Sequence, residues 1–151
     1  GFGGRREARE GVVDGRMAHV GTYSGTPLVM AAAKAVDEIC TPEALAEAEA
    51  VNIRALQAID AIIDEYELPA HTVGLGVKGC VTWSTTPVRN YRDYRRTDFE
   101  VAELSWLWGV NRGILTPPGL DEQWLVSLVT TDEDMSTLVE DFRSLAQALR
   151  A

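Results

Sequence analysis

Cysteine, histidine and lysine are scarce in this chain, and each scarcity excludes some chemistry. Two cysteines, Cys40 and Cys80, stand among 151 residues. They lack metal-ligand spacing and read as reduced thiols of a cytosolic protein, so no metal site is expected. No apolar run approaches the ~20 residues that cross a bilayer, and no signal-peptide pattern precedes the first motif. The chain therefore reads as cytoplasmic, without a membrane partner. Positive charge is short as well: 14 Lys and Arg against 23 Asp and Glu give a net charge of −9. That balance argues against general affinity for nucleic acid. There is no internal repeat and no low-complexity linker. What remains is 46% hydrophobic and 25% charged in 16.5 kDa, the composition and size of an ordinary globular chain.

The stretch that organises the sequence is His19-Val-Gly-Thr-Tyr-Ser-Gly-Thr-Pro-Leu-Val-Met-Ala-Ala-Ala-Lys34. Thr26 suits a helix N-cap, and Pro27 suits the first helical position, where its missing N–H costs nothing. Gly21 and Gly25 permit unusual backbone angles or close approach, while Thr22 and Ser24 supply hydroxyls. Loop, hydroxyls and helix start together can hold an anion such as phosphate. A capped helix after a tight turn explains the same residues equally well. His19 reads as a hydrogen-bonded structural residue, not a catalyst.

Three segments in order carry a family resemblance. The run from His19 to Ala33 resembles the segment after the Schiff-base lysine in class-III pyridoxal-phosphate (PLP) aminotransferases. The glutamate-1-semialdehyde aminomutase branch, with its Gly-Thr-x-Ser-Gly-Asn-Pro, looks nearest. Gly1-Phe2-Gly3-Gly4-Arg5 is similar to the family's Gly-Ala-x-Gly-Gly-Arg. Gly113 to Thr131 resembles the final strand pair of that branch. The resemblance spans the whole chain but only the C-terminal part of a family member. It implies an α/β fold: residues 1–66 ending the large PLP-binding domain, and residues 67–151 forming a small C-terminal domain with a short, mainly antiparallel sheet.

It also implies site residues. Gly21 and Thr22 would bind the cofactor, PLP, with the threonine reaching the phosphate of the other subunit in a homodimer. Glu122 matches an acidic position near the aminomutase active site and would contact substrate, a small amino compound. The Schiff-base lysine and the acidic partner of the pyridine nitrogen lie upstream of the first motif in the family. No catalytic residue is therefore expected here, and this chain alone is expected to be inactive. Thr26 stands where asparagine is usual and still caps. Thr130 stands where a histidine is common. Thr116-Pro117-Pro118 occupies the region where many relatives carry a carboxylate-gripping Arg-Pro pair. The activity implied is amino-group transfer by an aminotransferase or aminomutase. The alternative is a non-catalytic truncated homologue that acts as a dimerisation or interaction module.

The remaining pattern gives the elements. Arg5 to Glu10 reads as an exposed turn or short helix and Val12 to Gly15 as a loop. Leu28 to Cys40 is a helix with Leu28, Val29, Ala32, Val36 and Ile39 on one face. Thr41-Pro42 caps a second helix running to about Tyr66, with Leu45, Ala48, Asn52, Leu56, Ile59 and Ile63 recurring. Thr72 to Val77 and Gly79 to Trp83 read as strands, with Lys78 in the turn between them. Lys34 and Lys78 both read as solvated charge. Arg89, Arg92, Arg95 and Arg96, with Tyr91 and Tyr94, read as a loop that pairs with some of the acidic side chains. Asp98 to Asn111 is a helix stopped by Gly113. Ile114 to Thr116 and Trp124 to Val129 read as strands around a Pro117-Pro118-Gly119 turn. Thr131 with Asp134 opens a last helix with Leu138, Phe142, Leu145 and Leu149 on its apolar stripe.

Overall fold

The computed structural model describes residues 5–18, 20–117 and 124–150, apart from the side chain of Ala8. The chain divides into two compact units, Gly1–Ile39 and Cys40–Ala151.

In the first unit, α1 (Arg6–Val13) runs further than the charge pattern implied and takes in Val12 and Val13. An i,i+4 ion pair between Arg6 and Glu10 supports it, and the Asp14 amide closes it on the Glu10 carbonyl at 2.9 Å. The second helix, α2 (Pro27–Ile39), starts on the proline, and the Thr26 carbonyl accepts the Met30 amide at 3.0 Å. The expected apolar face is present in the sequence, yet α2 buries none of its residues.

The second unit is built on α3 (Pro42–Glu65). Thr41 Oγ1 accepts the Ala44 amide at 3.2 Å, which is the expected cap. Ala48, Asn52, Ala55, Ile59, Ile62 and Ile63 form its buried side, whereas Leu45 is exposed. At its end Glu67 takes φ of 47°, a position where glycine is usual, and the Leu68 amide reaches back to the Ile63 carbonyl. Arg150 donates to the Tyr66 and Glu67 carbonyls and so covers this helix end.

Two antiparallel strands follow, β1 (His71–Leu75) and β2 (Lys78–Thr82). Leu75 pairs with Lys78, so Gly76 and Val77 make the turn, with Gly76 at φ 58°. Lys78 therefore opens β2 instead of lying in the turn. Between β2 and the next long helix sits a short helix, α4 (Tyr91–Tyr94), in the segment read as a loop. It exists because Asn90 Oδ1 caps the amides of Arg92 and Asp93.

Next comes α5 (Phe99–Asn111), capped by Asp98 and stopped at Gly113, whose φ is 89°. The strand expected over Ile114–Thr116 does not form. The Ile114 amide closes the helix end on the Gly109 carbonyl, and the Thr116 carbonyl is taken by Trp106 Nε1. Pro118 and Gly119 lie outside the described residues. The last strand, β3 (Trp124–Leu125), pairs antiparallel with β2 and gives the sheet order β1-β2-β3. It is shorter than expected because Ser127 and Thr130 bond to each other and turn the chain away. Then α6 (Asp132–Arg150) begins with the expected box, in which Thr131 and Asp134 exchange hydrogen bonds. The core lies between the sheet, α3 and α6. Trp83 and Phe142 meet there at 6.0 Å between ring centres, with Ile59, Ile62 and Leu145 around them. Among the described residues, no helix is long and apolar enough to cross a membrane.

Candidate functional site

The loop before α2 is two tight turns in succession. The Ser24 amide donates to the Gly21 carbonyl at 3.0 Å and the Thr26 amide to the Tyr23 carbonyl at 3.3 Å. A side chain at position 21 would put its Cβ 2.6 Å from Ser24 Oγ, so glycine is required unless that hydroxyl turns away. Gly25 sits at φ 74°, which favours glycine for a backbone reason. Gly21 and Thr22 are both exposed, and no other described residue engages the Thr22 amide or hydroxyl. Two free donors beside a bare glycine backbone fit the oxygens of a phosphate.

The other predicted residues fall apart from this loop or outside the description. Glu122 and His19 lie outside the described residues. Lys34 is exposed and pairs with Glu38 at 3.7 Å one turn on, as a solvated charge does. Lys78 is exposed, and its carbonyl, not its ammonium, has the structural task. Neither cysteine forms a disulfide. The arginines of 89–96 correct one expectation: among the described residues none of their guanidinium groups pairs with a carboxylate.

Two further features are not evident from the sequence pattern, one beside the sheet and one where α5 meets α6. Asn52, fully buried in the apolar side of α3, donates to the carbonyls of Gly76 (2.9 Å) and Lys78 (2.8 Å). Its Oδ1 accepts from Trp124 Nε1 at 2.8 Å, so one amide ties α3 to the β1–β2 turn and to β3. The Trp124 ring lies over Gly79, where a Cβ would fall 2.4 Å from it. The signal was in the sequence: an asparagine at an apolar helical position must find partners.

The other is Asp141 on α6. Burial pushes its carboxyl above the ordinary range, and the Arg112 guanidinium, 3.0 Å away without an aligned hydrogen bond, opposes the shift. Arg112 also covers the Trp108 ring at 5.2 Å.

No protein-family model matches the chain. Over 94% of its length the chain is 34% identical to a glutamate-1-semialdehyde 2,1-aminomutase of Thermus thermophilus, of which it spans 34%. Its homologues are glutamate-1-semialdehyde 2,1-aminomutases, and it matches a C-terminal part of that family.

Solved structures agree on the fold. A β-phenylalanine aminotransferase from Variovorax paradoxus superposes with a TM-score of 0.77 at 25% identity, over 97% of this chain and 34% of that one. A glutamate-1-semialdehyde aminomutase from Pseudomonas aeruginosa, solved with PMP, gives 0.78 at 22% identity over 89% of this chain and 30% of that one. The structural relatives are class-III PLP aminotransferases. This chain spans about a third of the length of the curated relatives it matches.

Proposed function

We propose that this chain is the C-terminal part of a PLP-dependent aminotransferase or aminomutase acting on an amino acid or amino-ketone. In that assignment residues 1–66 end the large domain, with α3 as a connecting helix, and residues 67–151 form the small domain. The observation that carries the reading is the loop at Gly21 and Thr22, whose free amide and hydroxyl match its place in the resemblance. A second observation supports it: α2 leaves Leu28 82% and Ile39 61% exposed, apolar surface suited to cover by a further part of a longer fold.

Bound PLP supplies an electron sink for amino-group transfer. This chain's share is to hold and shape. Thr22 donates two hydrogen bonds to the phosphate, and Gly21 keeps that approach open. Glu122 meets the substrate. Thr22 serves the cofactor of the partner subunit, which couples phosphate binding to a homodimer in the cytoplasm. The Schiff-base lysine belongs to the part upstream.

In a complete enzyme, Thr22→Val keeps the shape and removes the hydroxyl bond. A hydrogen bond to a charged group is worth about 1.5–3 kcal/mol, so PLP should bind about 10- to 150-fold more weakly. Equal loss of thermal stability with and without PLP, at unchanged PLP affinity, would reduce Thr22 to a turn residue. A mixed dimer of a Thr22→Val chain with a chain lacking its Schiff-base lysine locates the contact. Normal PLP binding there places it across the interface, and weakened binding places it within one subunit.

A further inference from the structure

The strand β3 is two residues long, and its ladder to β2 is the pairing of Leu125 with Lys78 and of Trp124 with Gly79. So short a ladder fixes register weakly on its own. A slip of one residue would turn Trp124 to the opposite face of the sheet and carry the preceding chain along by about 3.4 Å.

Side chains supply the register instead. Asn52 donates both Nδ2 hydrogens, one to the Gly76 carbonyl and one to the Lys78 carbonyl, and its Oδ1 accepts from the Trp124 indole. The carbonyl between those two, on Val77, accepts the Val126 amide at 2.9 Å. All three carbonyls of 76–78 are thus committed, two to α3 and one to the chain just past β3. The indole sits over Gly79, the one residue of β2 without a side chain, where a Cβ would fall 2.4 Å from the ring. Both the hydrogen bond and this seat are lost if Trp124 moves by one residue. A satisfied buried polar network fixes one arrangement where apolar packing tolerates several. Asn52 is 0% and Trp124 9% exposed, so the network does not depend on surface that a further part of a longer fold would cover.

Glu122 precedes Trp124 by two residues, at most about 7 Å of chain. Before the same segment, the Thr116 carbonyl is held by Trp106 Nε1 at 3.1 Å. We propose that Asn52 and Trp124 are positioning residues: they lock the register of β3 and thereby set where the Glu122 carboxylate stands towards substrate and cofactor. The proposal rests on the reading of Glu122 as a substrate contact and goes beyond it by naming what places that carboxylate.

The test uses the complete enzyme at saturating PLP and reads the Glu122 carboxylate itself. In protein labelled with carbon-13 at glutamate carboxyls, the Glu122 resonance is the one absent from Glu122→Gln. A carboxylate at substrate distance from the cofactor feels its charge, so this resonance should shift when PLP is added. Trp124→Phe keeps a ring over Gly79 and removes the N–H bond. It should cut the PLP-induced shift by about half or more, because charge interaction falls with distance. Asn52→Leu should act in the same direction, and circular dichroism confirms that the variants are folded. A pair that serves stability alone would lower the melting temperature and leave the shift as it is. A Glu122 resonance indifferent to PLP in the wild type would overturn the reading of Glu122 and the role that rests on it. A resonance that responds to PLP equally in the wild type and in Trp124→Phe would overturn the register lock and leave that reading standing.

Discussion

Leu28 and Phe142 both sit on apolar helical stripes, yet they end in opposite surroundings. Leu28 on α2 is 82% exposed, and α2 buries nothing. Phe142 on α6 is 6% exposed and lies against Trp83. The Cys40–Ala151 unit closes a core of its own from three helices' worth of small and branched side chains around a short sheet. The Gly1–Ile39 unit displays an apolar helix face behind a loop with unused donors. A stripe in the sequence therefore reports that a face is meant to be covered, and says nothing about whether the cover is in the same chain.

The largest effect should come from deleting the core side of this comparison. Phe142→Ala should destabilise the chain by about 3–5 kcal/mol in chemical denaturation. A loss below about 1 kcal/mol in a two-state transition would place α6 outside the core. Asn52→Leu comes next. It removes one buried and two part-buried hydrogen bonds and leaves the Gly76 and Lys78 carbonyls and the Trp124 indole without that partner. The expected cost is about 2–4 kcal/mol. An isosteric leucine that costs nothing would show that the asparagine is replaceable packing.

Glu67→Gly should move the other way. Position 67 has φ of 47°, so removing the side chain relieves a strained backbone and should stabilise by about 0.5–1 kcal/mol. Thermal denaturation reads the sign. On the uncovered side, Leu28→Ala should change the stability of this chain by less than about 0.5 kcal/mol. A loss of core size there would break the comparison outright.

A pH titration sharpens the core further. The folded-state pKa of Asp141 is raised from 3.8, chiefly by burial. The folded chain therefore binds more of a proton than the unfolded chain just above pH 3.8, and stability falls as pH rises through that window. Asp134 acts oppositely, because the amide and hydroxyl of Thr131 hold its pKa below 3.8. Its contribution is present at neutral pH and lost as pH falls below that value. Subtracting the pH profile of Asp141→Asn from the wild type isolates the first effect. A difference that rises with pH would reverse the assignment.

Local rules were legible wherever a residue acts on its own neighbours. The Thr41 cap, the Gly113 stop and the Thr131–Asp134 box all appear where the spacing put them. Errors arose where a distant partner decides. Ile114–Thr116 has strand-like residues, but the Trp106 indole takes the Thr116 carbonyl and no ladder forms. Asn52 falls on an apolar stripe in the sequence, and nothing local reveals that residues 76, 78 and 124 converge on it. The arginines of 89–96 were expected to pair with the abundant acids, yet Asp93 serves the turn instead. In the candidate loop, Gly21 and Thr22 were legible as a motif because its glycine and hydroxyl spacing is local.

We infer that this chain supplies the phosphate loop and small domain of a longer PLP enzyme. The most direct test is borohydride reduction of the native, PLP-loaded protein, followed by intact mass and peptide mapping. The expected result is a polypeptide longer than 151 residues, with one reduced PLP adduct on a lysine upstream of Gly1. A native chain that starts at Gly1 and turns over amino substrates with PLP fixed to Lys34 or Lys78 would contradict it.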